Sequence, residues 1–243
     1  MERVLYNTVL GANPLQPDGR AFYYSDYGNT GSKFYFDDPF PCCAGTLPQI
    51  AADYRILTYF HDREGVYVNL YFPSTVKWTN GHGAHVELTQ SGGYPLDGNV
   101  QVVVKTSKAS KFALRLRIPA WAESEGAAIR VNGQPVTATV STGFASIERK
   151  WKTGDRVELT LALPMRLEAI DPEHPETVAL VRGPLALFAL TKDAPKVTRE
   201  QLLAASRMPG QSVWQVKTEG GPVLMTPFTE IHEEIYRLYL TVG

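Results

Sequence analysis

The stretch KFALRLRI, residues 111–118, decides the fold class. Leu114, Leu116 and Ile118 alternate with Arg115 and Arg117, so the apolar side chains fall on one face of an extended chain and the charges on the other. A helix would scatter the same residues around its axis. The same period-two pattern recurs in VYVNLYF (66–72), HVELTQ (85–90), VQVVVKT (100–106), AIRV (128–131), FASIERKW (144–151) and RVELTLAL (156–163). Short strands of this kind, separated by turn signals every 8 to 12 residues, are the sequence form of a β-sandwich. Asn132-Gly133 between AIRV and PVTATV predicts a tight hairpin, because both central residues of its preferred turn take positive φ. The charges over 62–163 are expected to be solvated strand faces.

Beyond residue 163 the chain continues as β structure. MRLEAI (165–170), the apolar LALFAL (185–190) after the turn VRGP, and YRLYLTV (236–242) read as strands, and Thr198 predicts the N-cap of a short helix through Ala204. This part, 164–243, is expected to be a second and smaller β-sandwich.

The first 60 residues differ. MERVLYNTVL places Val4, Leu5, Thr8 and Val9 on one side at helical spacing before Gly11 and Pro14 stop it. A loop rich in Gly, Asp, Asn and aromatics follows, from Ala12 to Cys43. A second helix is expected from an N-cap at Thr46 to about Phe60, with Pro48 in its first turn and Ile50, Ala51, Tyr54 and Leu57 on one face. Two helices cannot cover Tyr23, Tyr24, Tyr27, Phe34, Tyr35 and Phe36, so segment 1–61 is expected to be the tail of a larger helical domain whose beginning is missing. The fold class expected is mainly β: two β-sandwich domains, 62–163 and 164–243, preceded by a short helical remnant.

Composition bounds the function. Lys plus Arg number 24 against 25 Asp plus Glu, for a formal net charge of −1. The cations form no run, so no nucleic-acid footprint exists. No stretch of 18 apolar residues suggests a membrane helix. The first ten residues lack the unbroken apolar run of a secretory signal, and the compartment stays open.

The whole chain contains two cysteines, the neighbours Cys42 and Cys43 in FPCCAGTLPQ (40–49). Neighbours cannot staple distant segments, so the pair is chemistry or a buried apolar dipeptide rather than a disulfide framework. As chemistry it is half of a metal site or a reactive thiol with partners elsewhere. The histidines His61, His82, His85, His174 and His232 show no ligand spacing, and no CxxC, HExxH, GxSxG, P-loop or GxGxxG occurs. A non-catalytic reading competes with the enzyme: Trp78, Trp121, Trp151 or Trp214, if exposed, could stack on sugars in a carbohydrate-binding or domain-packing β-sandwich.

A family resemblance joins these pieces. ERVLYNTVL, DGRAFYY, CCAGTLPQIAADY, GVYVNLYFPS, LRLRIPAW, VNGQPV, RKWKTGDRVELTLALPM and RGPLALFAL resemble, in that order, the carboxyl-terminal part of the β-L-arabinofuranosidases of glycoside hydrolase family 127. The resemblance implies an (α/α)6 barrel followed by two β-sandwiches, and a retaining glycosidase with a zinc-bound cysteine nucleophile. Carried over by motif, Cys42 is the nucleophile, Cys42 and Cys43 are zinc ligands, and Glu2 and Tyr24 line the sugar pocket. The CCAGT here departs from the CCPPN of many members, which bears on substrate more than on mechanism.

The family's acid/base glutamate and remaining zinc ligands lie upstream of the segment matching Met1. The chain alone is therefore expected to be inactive and to hold zinc weakly or not at all. Its expected partners are carbohydrate and either a copy of itself or a chain that completes the barrel.

Overall fold

The computed structural model describes residues 1–12, 22–25, 31–35, 42–123 and 126–243, with the backbone alone at 22–25, 42–45, 47, 48 and 123. These residues form two compact units, 53–164 and 1–52 together with 165–243.

The unit 53–164 is a two-layer β-sandwich. One sheet runs Gln134–Pro135, Ala127–Val131, Arg156–Leu161, Asn99–Thr106, His85–Gly92, Ser74–Thr79; the other runs Thr139–Ser141, Phe144–Trp151, Ser110–Arg117, Gly65–Val68, Tyr59–His61. Alternation decides what each strand buries. Leu114 and Leu116 are fully buried and Ile118 nearly so, facing Val86, Leu88, Val102, Val104, Val157 and Leu159 of the opposite sheet. Each such side chain contributes roughly 1.5–3 kcal/mol on leaving water. Phe112 links the layers, its ring edge-on to Trp78 at 5.7 Å.

Arg115 and Arg117 are less solvated than their alternation suggests. They lie over the rings of Tyr67 and Tyr71, at 4.6 and 5.8 Å from the centroids, and Arg115 also pairs with Asp62 and Glu64. Arginine stems and guanidinium planes cover aromatic surface while staying charged.

Gly65–Val68 and Ser110–Arg117 run parallel, whereas the other pairs in both sheets are antiparallel. That pairing brings backbone so close that a Cβ on Gly65 would stand 1.9 Å from the Ala113 carbonyl oxygen. The Asn132-Gly133 hairpin forms as its sequence predicts, with φ of 52° and 79° joining Ala127–Val131 to Gln134–Pro135.

The unit of 1–52 and 165–243 is built on a seven-stranded sheet. Its path runs Met165–Ala169, Thr177–Arg182, Leu185–Ala189, Gly221–Pro227, Trp214–Thr218, Ser206–Arg207, and Tyr239–Thr241 adds to Thr177–Arg182. Leu185–Ala189 is buried along its whole length, which explains its unbroken apolar run. Phe188, Phe228 and Tyr236 pack with centroids 5.2–5.8 Å apart. Thr198 caps the helix Arg199–Leu203 in a reciprocal capping box with Gln201.

The amino-terminal residues pack into this same unit. Helical turns continue over Glu2–Val4, a π-turn at Leu5–Val9 and a 3₁₀ turn at Leu10–Ala12. The buried side is not the predicted one: Glu2, Leu5 and Tyr6 are inside, while Val4 and Thr8 face solvent. The wider π-turn changes the angle per residue, so a 3.6-residue period misassigns the face. Asn7 fixes the segment, its Nδ2 donating to the Pro184 carbonyl and its Oδ1 accepting from the Ala186 N–H, both at 2.7 Å. Gly11 lies flat on Phe228, where a Cβ would come within 2.1 Å of the ring.

Candidate functional site

The helix carrying the cysteine pair spans Cys42–Ile56. It begins at Cys42 rather than near Thr46, so Cys42 and Cys43 form its first turn instead of a preceding loop. Thr46 and Pro48 signal a helix start in sequence, yet both sit inside the helix. Pro48 withholds one N–H from the ladder, the loss that otherwise favours proline in a first turn.

The other end of the helix is held by named bonds. Thr58 Oγ1 donates to the Tyr54 carbonyl at 2.8 Å, and Asn69 Nδ2 donates to the Leu57 carbonyl at 2.9 Å. The Asn69 backbone N–H donates to the Thr58 carbonyl. Carbonyls that a helix end leaves without partners are thereby satisfied.

At the cysteine end the geometry has an electrostatic consequence. The first N–H groups of a helix carry partial positive charge, which favours an anion nearby and lowers the pKa of a thiol placed there. The side chains of Cys42, Cys43 and Tyr24 lie outside the described residues, as do Tyr27 and Phe36. Tyr24 belongs by its backbone to the strand Phe22–Ser25, paired with Lys33–Tyr35. Glu2 is buried in the first helical turn.

Among the described residues no three His, Cys, Asp or Glu side chains converge on a point where a metal ion could bind. The histidines sit apart: His85 shares a hydrogen bond with Thr79, and His174 pairs with Asp171 in an exposed turn. Tetrahedral zinc takes roughly four donors, and the family resemblance implies two of them, Cys42 and Cys43.

Lys33 was not marked by the sequence. Its side chain is 7% exposed, its Nζ donates to the Ile231 carbonyl and lies 4.5 Å from the Phe228 ring centroid. Burial lowers its pKa to about 8, with the Glu234 carboxylate opposing the shift. Nothing in SKFYF separates a buried lysine from a solvated one, because the enclosing residues lie about 200 positions away.

The tryptophans bear on the binding-module reading. Trp151 and Trp214 are buried in the two units, Trp151 Nε1 donating to the Phe112 carbonyl. Neither offers a ring face to a sugar. Trp78 is partly covered by Phe112.

Residues 65–165 match the family model described as "Beta-L-arabinofuranosidase, GH127 middle domain". Over that stretch the chain is similar to the middle domain of glycoside hydrolase family 127 proteins.

Solved structures agree in fold. A GH127 β-L-arabinofuranosidase from Geobacillus stearothermophilus T6 superposes with a TM-score of 0.78 at 22% identity, covering 100% of this chain and 46% of that one. A structure titled "Glycoside hydrolase" gives 0.74 at 23% identity, with 100% and 48% covered. A further GH127 β-arabinofuranosidase gives 0.76 at 22% identity, with 100% and 45% covered. The chain thus spans a little under half the length of the structures it matches. No curated protein matches it. No described helix is long and apolar enough to cross a membrane.

Proposed function

We propose that this chain is the carboxyl-terminal portion of a retaining glycoside hydrolase acting on L-arabinofuranosides or related sugars, with Cys42 as nucleophile. The observation that carries the reading is the placement of Cys42-Cys43 on the first turn of a 15-residue helix directly ahead of a GH127 middle domain. In this reading segment 1–61 closes a helical catalytic domain, followed by β domains at 62–163 and 164–243.

The Cys42 thiolate attacks the anomeric carbon, and the aglycone departs with a proton from a carboxylic acid. The Cys42 S–C bond is then hydrolysed by water, with the resulting carboxylate as base. Helix-start N–H groups favour the thiolate, and Cys43 stands beside it as a second thiol donor. Zinc, when held by the two cysteines and donors from outside this chain, supplies a thiolate at neutral pH. Glu2 and Tyr24 are assigned to the sugar pocket. The acid/base carboxylate is assigned to the portion that the matching structures have beyond this chain, so the isolated chain is expected to be inactive.

The test compares turnover of an aryl β-L-arabinofuranoside by the complete gene product, its Cys42→Ser variant and this chain alone. Activity in the complete protein, with loss beyond detection in Cys42→Ser, supports the reading. Full activity in Cys42→Ser removes the nucleophile assignment, and turnover by this chain alone removes the assignment of the acid to another segment.

A further inference from the structure

The two sheets of the unit 53–164 leave four strand edges, and three of these are guarded against pairing with another chain. Ser74–Thr79 presents Lys77, whose side chain is 74% exposed. Gln134–Pro135 carries a proline, and Tyr59–His61 runs straight into the charged turn Asp62-Arg63-Glu64. Charge and proline at an edge strand are the usual obstacles to edge-to-edge association. The fourth edge, Thr139–Ser141, has neither. No charged residue occurs between Arg130 and Glu148, and Thr139, Val140 and Ser141 are all exposed.

The register defines what this edge offers. Thr139–Ser141 pairs with Phe144–Trp151 across the two-residue turn Thr142-Gly143, with φ of 49° and 78°. In a hairpin of that kind Ser141 and Phe144 form the hydrogen-bonded pair beside the turn, and Thr139 and Ser146 form the next one. The Val140 N–H and carbonyl, lying between those pairs, point away from Phe144–Trp151 to the free edge, and no described residue bonds to them. The Val140 side chain is uncovered as well. Its ladder neighbours Ala145, Leu116 and Val68 are buried on the inner face of the sheet, whereas Val140, on that same face, is 52% exposed. It stands at the mouth of an open apolar hollow of about 700 Å³, beside Ile129, Pro135, Val136 and Ala138.

We propose that Thr139–Ser141 is a self-association edge, pairing antiparallel with the same strand of a second copy of this chain about a twofold axis through the Val140 pair. Set opposite itself, Val140 exchanges two N–H···O bonds with its mate across Cα atoms about 5.5 Å apart. Both side chains fall on the inner face, where each covers the other at the mouth of the hollow. Charge selects this occupant. A twofold axis sets each residue near the axis against its own copy, so a charged edge opposes its like, while an uncharged one meets itself without that cost. The two five-stranded sheets then run on as one. This surface is independent of any reading of the active site.

The experiment is sedimentation equilibrium of the intact chain over a concentration series, with amide hydrogen exchange read at Val140. The expected result is a monomer–dimer equilibrium in which exchange of the Val140 N–H slows as concentration rises. Val140→Lys sets two ammonium groups together at the axis and is expected to raise the dimer dissociation constant at least about tenfold. Its urea midpoint in dilute solution should stay that of the wild type, because the side chain is exposed in the monomer. Val140→Thr, uncharged and β-branched, is expected to keep the dimer. A chain that sediments as a monomer up to about 100 μM, above the micromolar range of modest specific interfaces, would overturn the proposal and leave this edge to a strand of another protein. A dimer that persists unweakened in Val140→Lys, or one that leaves Val140 exchange unchanged, would overturn it equally. If Val140→Lys does not fold, the concentration dependence of wild-type exchange decides by itself.

Discussion

Asn132 Nδ2 donates to Asp155 Oδ1 at 2.9 Å across 23 positions of sequence, so the tip of one hairpin is held by the turn that precedes the strand Arg156–Leu161. Asn132 Oδ1 accepts from the Arg156 N–H at 2.8 Å, and Asp155 Oδ2 accepts from the Lys152 N–H at 2.9 Å. Two turns that are weak signals alone form one structure. Asp155→Ala is expected to cost about 2 kcal/mol, the scale of hydrogen bonds to a charged group, read as a lowered urea midpoint at unchanged slope.

The same carboxylate gives a pH dependence. Burial pushes the Asp155 pKa up, but the Asn132 amide, the Lys152 N–H and nearby Arg149 and Lys152 outweigh it and hold the pKa below the usual value of 3.8. A depressed folded pKa means that the unfolded state binds more protons, so this stability is present above about pH 4 and lost as pH falls through the folded value. Denaturation midpoints measured between pH 2 and 6 should fall less steeply in Asp155→Asn than in the wild type.

Gly65→Ala tests the parallel pair. Its Cβ would meet the Ala113 carbonyl oxygen at 1.9 Å, and because both partners are backbone the strands themselves must move. A loss of about 3 kcal/mol or more is expected, at the upper end of overpacking penalties. A melting temperature within a degree of wild type would show that the strands separate freely.

Lys33 predicts the opposite pH trend from Asp155. Its folded pKa of about 8 lies below the value of 10.5 for an unburied lysine. Below pH 8 both states are protonated and the fold carries the full cost of burying the ammonium. Between pH 8 and 10.5 the folded chain releases its proton first, so stability rises with pH. The wild-type minus Lys33→Met difference in denaturation midpoint isolates this rise; a difference flat across that window would show that Lys33 titrates normally.

Thr198→Ala removes the side-chain acceptor of the Gln201 N–H and breaks the capping box. The expected cost is about 1 kcal/mol, with Thr198→Ser recovering most of it. Amide hydrogen exchange in Arg199–Leu203 gives a local reading of the same loss.

The sandwich was legible because its evidence is local. Alternation at 112–118 and the Asn132-Gly133 turn each specify structure within a few residues, and Thr198 with Gln201 specifies a cap. The amino-terminal face was misread because a π-turn breaks the assumed period, and the start of the cysteine helix because Thr46-Leu47-Pro48 imitates a cap. Lys33 owes its environment to Phe228 and Ile231, far away in sequence, so no window around it could reveal its burial. The role of Cys42 entered through resemblance, since two adjacent thiols leave metal, nucleophile and packing open.

The parallel alignment of Gly65–Val68 with Ser110–Arg117 bears on the order of folding. The two strands are some 45 positions apart, and the chain between them contains the antiparallel run of Ser74–Thr79, His85–Gly92 and Asn99–Thr106. Hairpins of that run close over short loops, whereas the parallel pair must wait for a large loop to close, an entropic delay that slows folding of β proteins. Asn69, which binds the last turn of the cysteine helix, follows directly on that late strand. Mutations at Gly65 should therefore act chiefly on the unfolding rate, and those in the His85–Gly92 hairpin on the rate of folding.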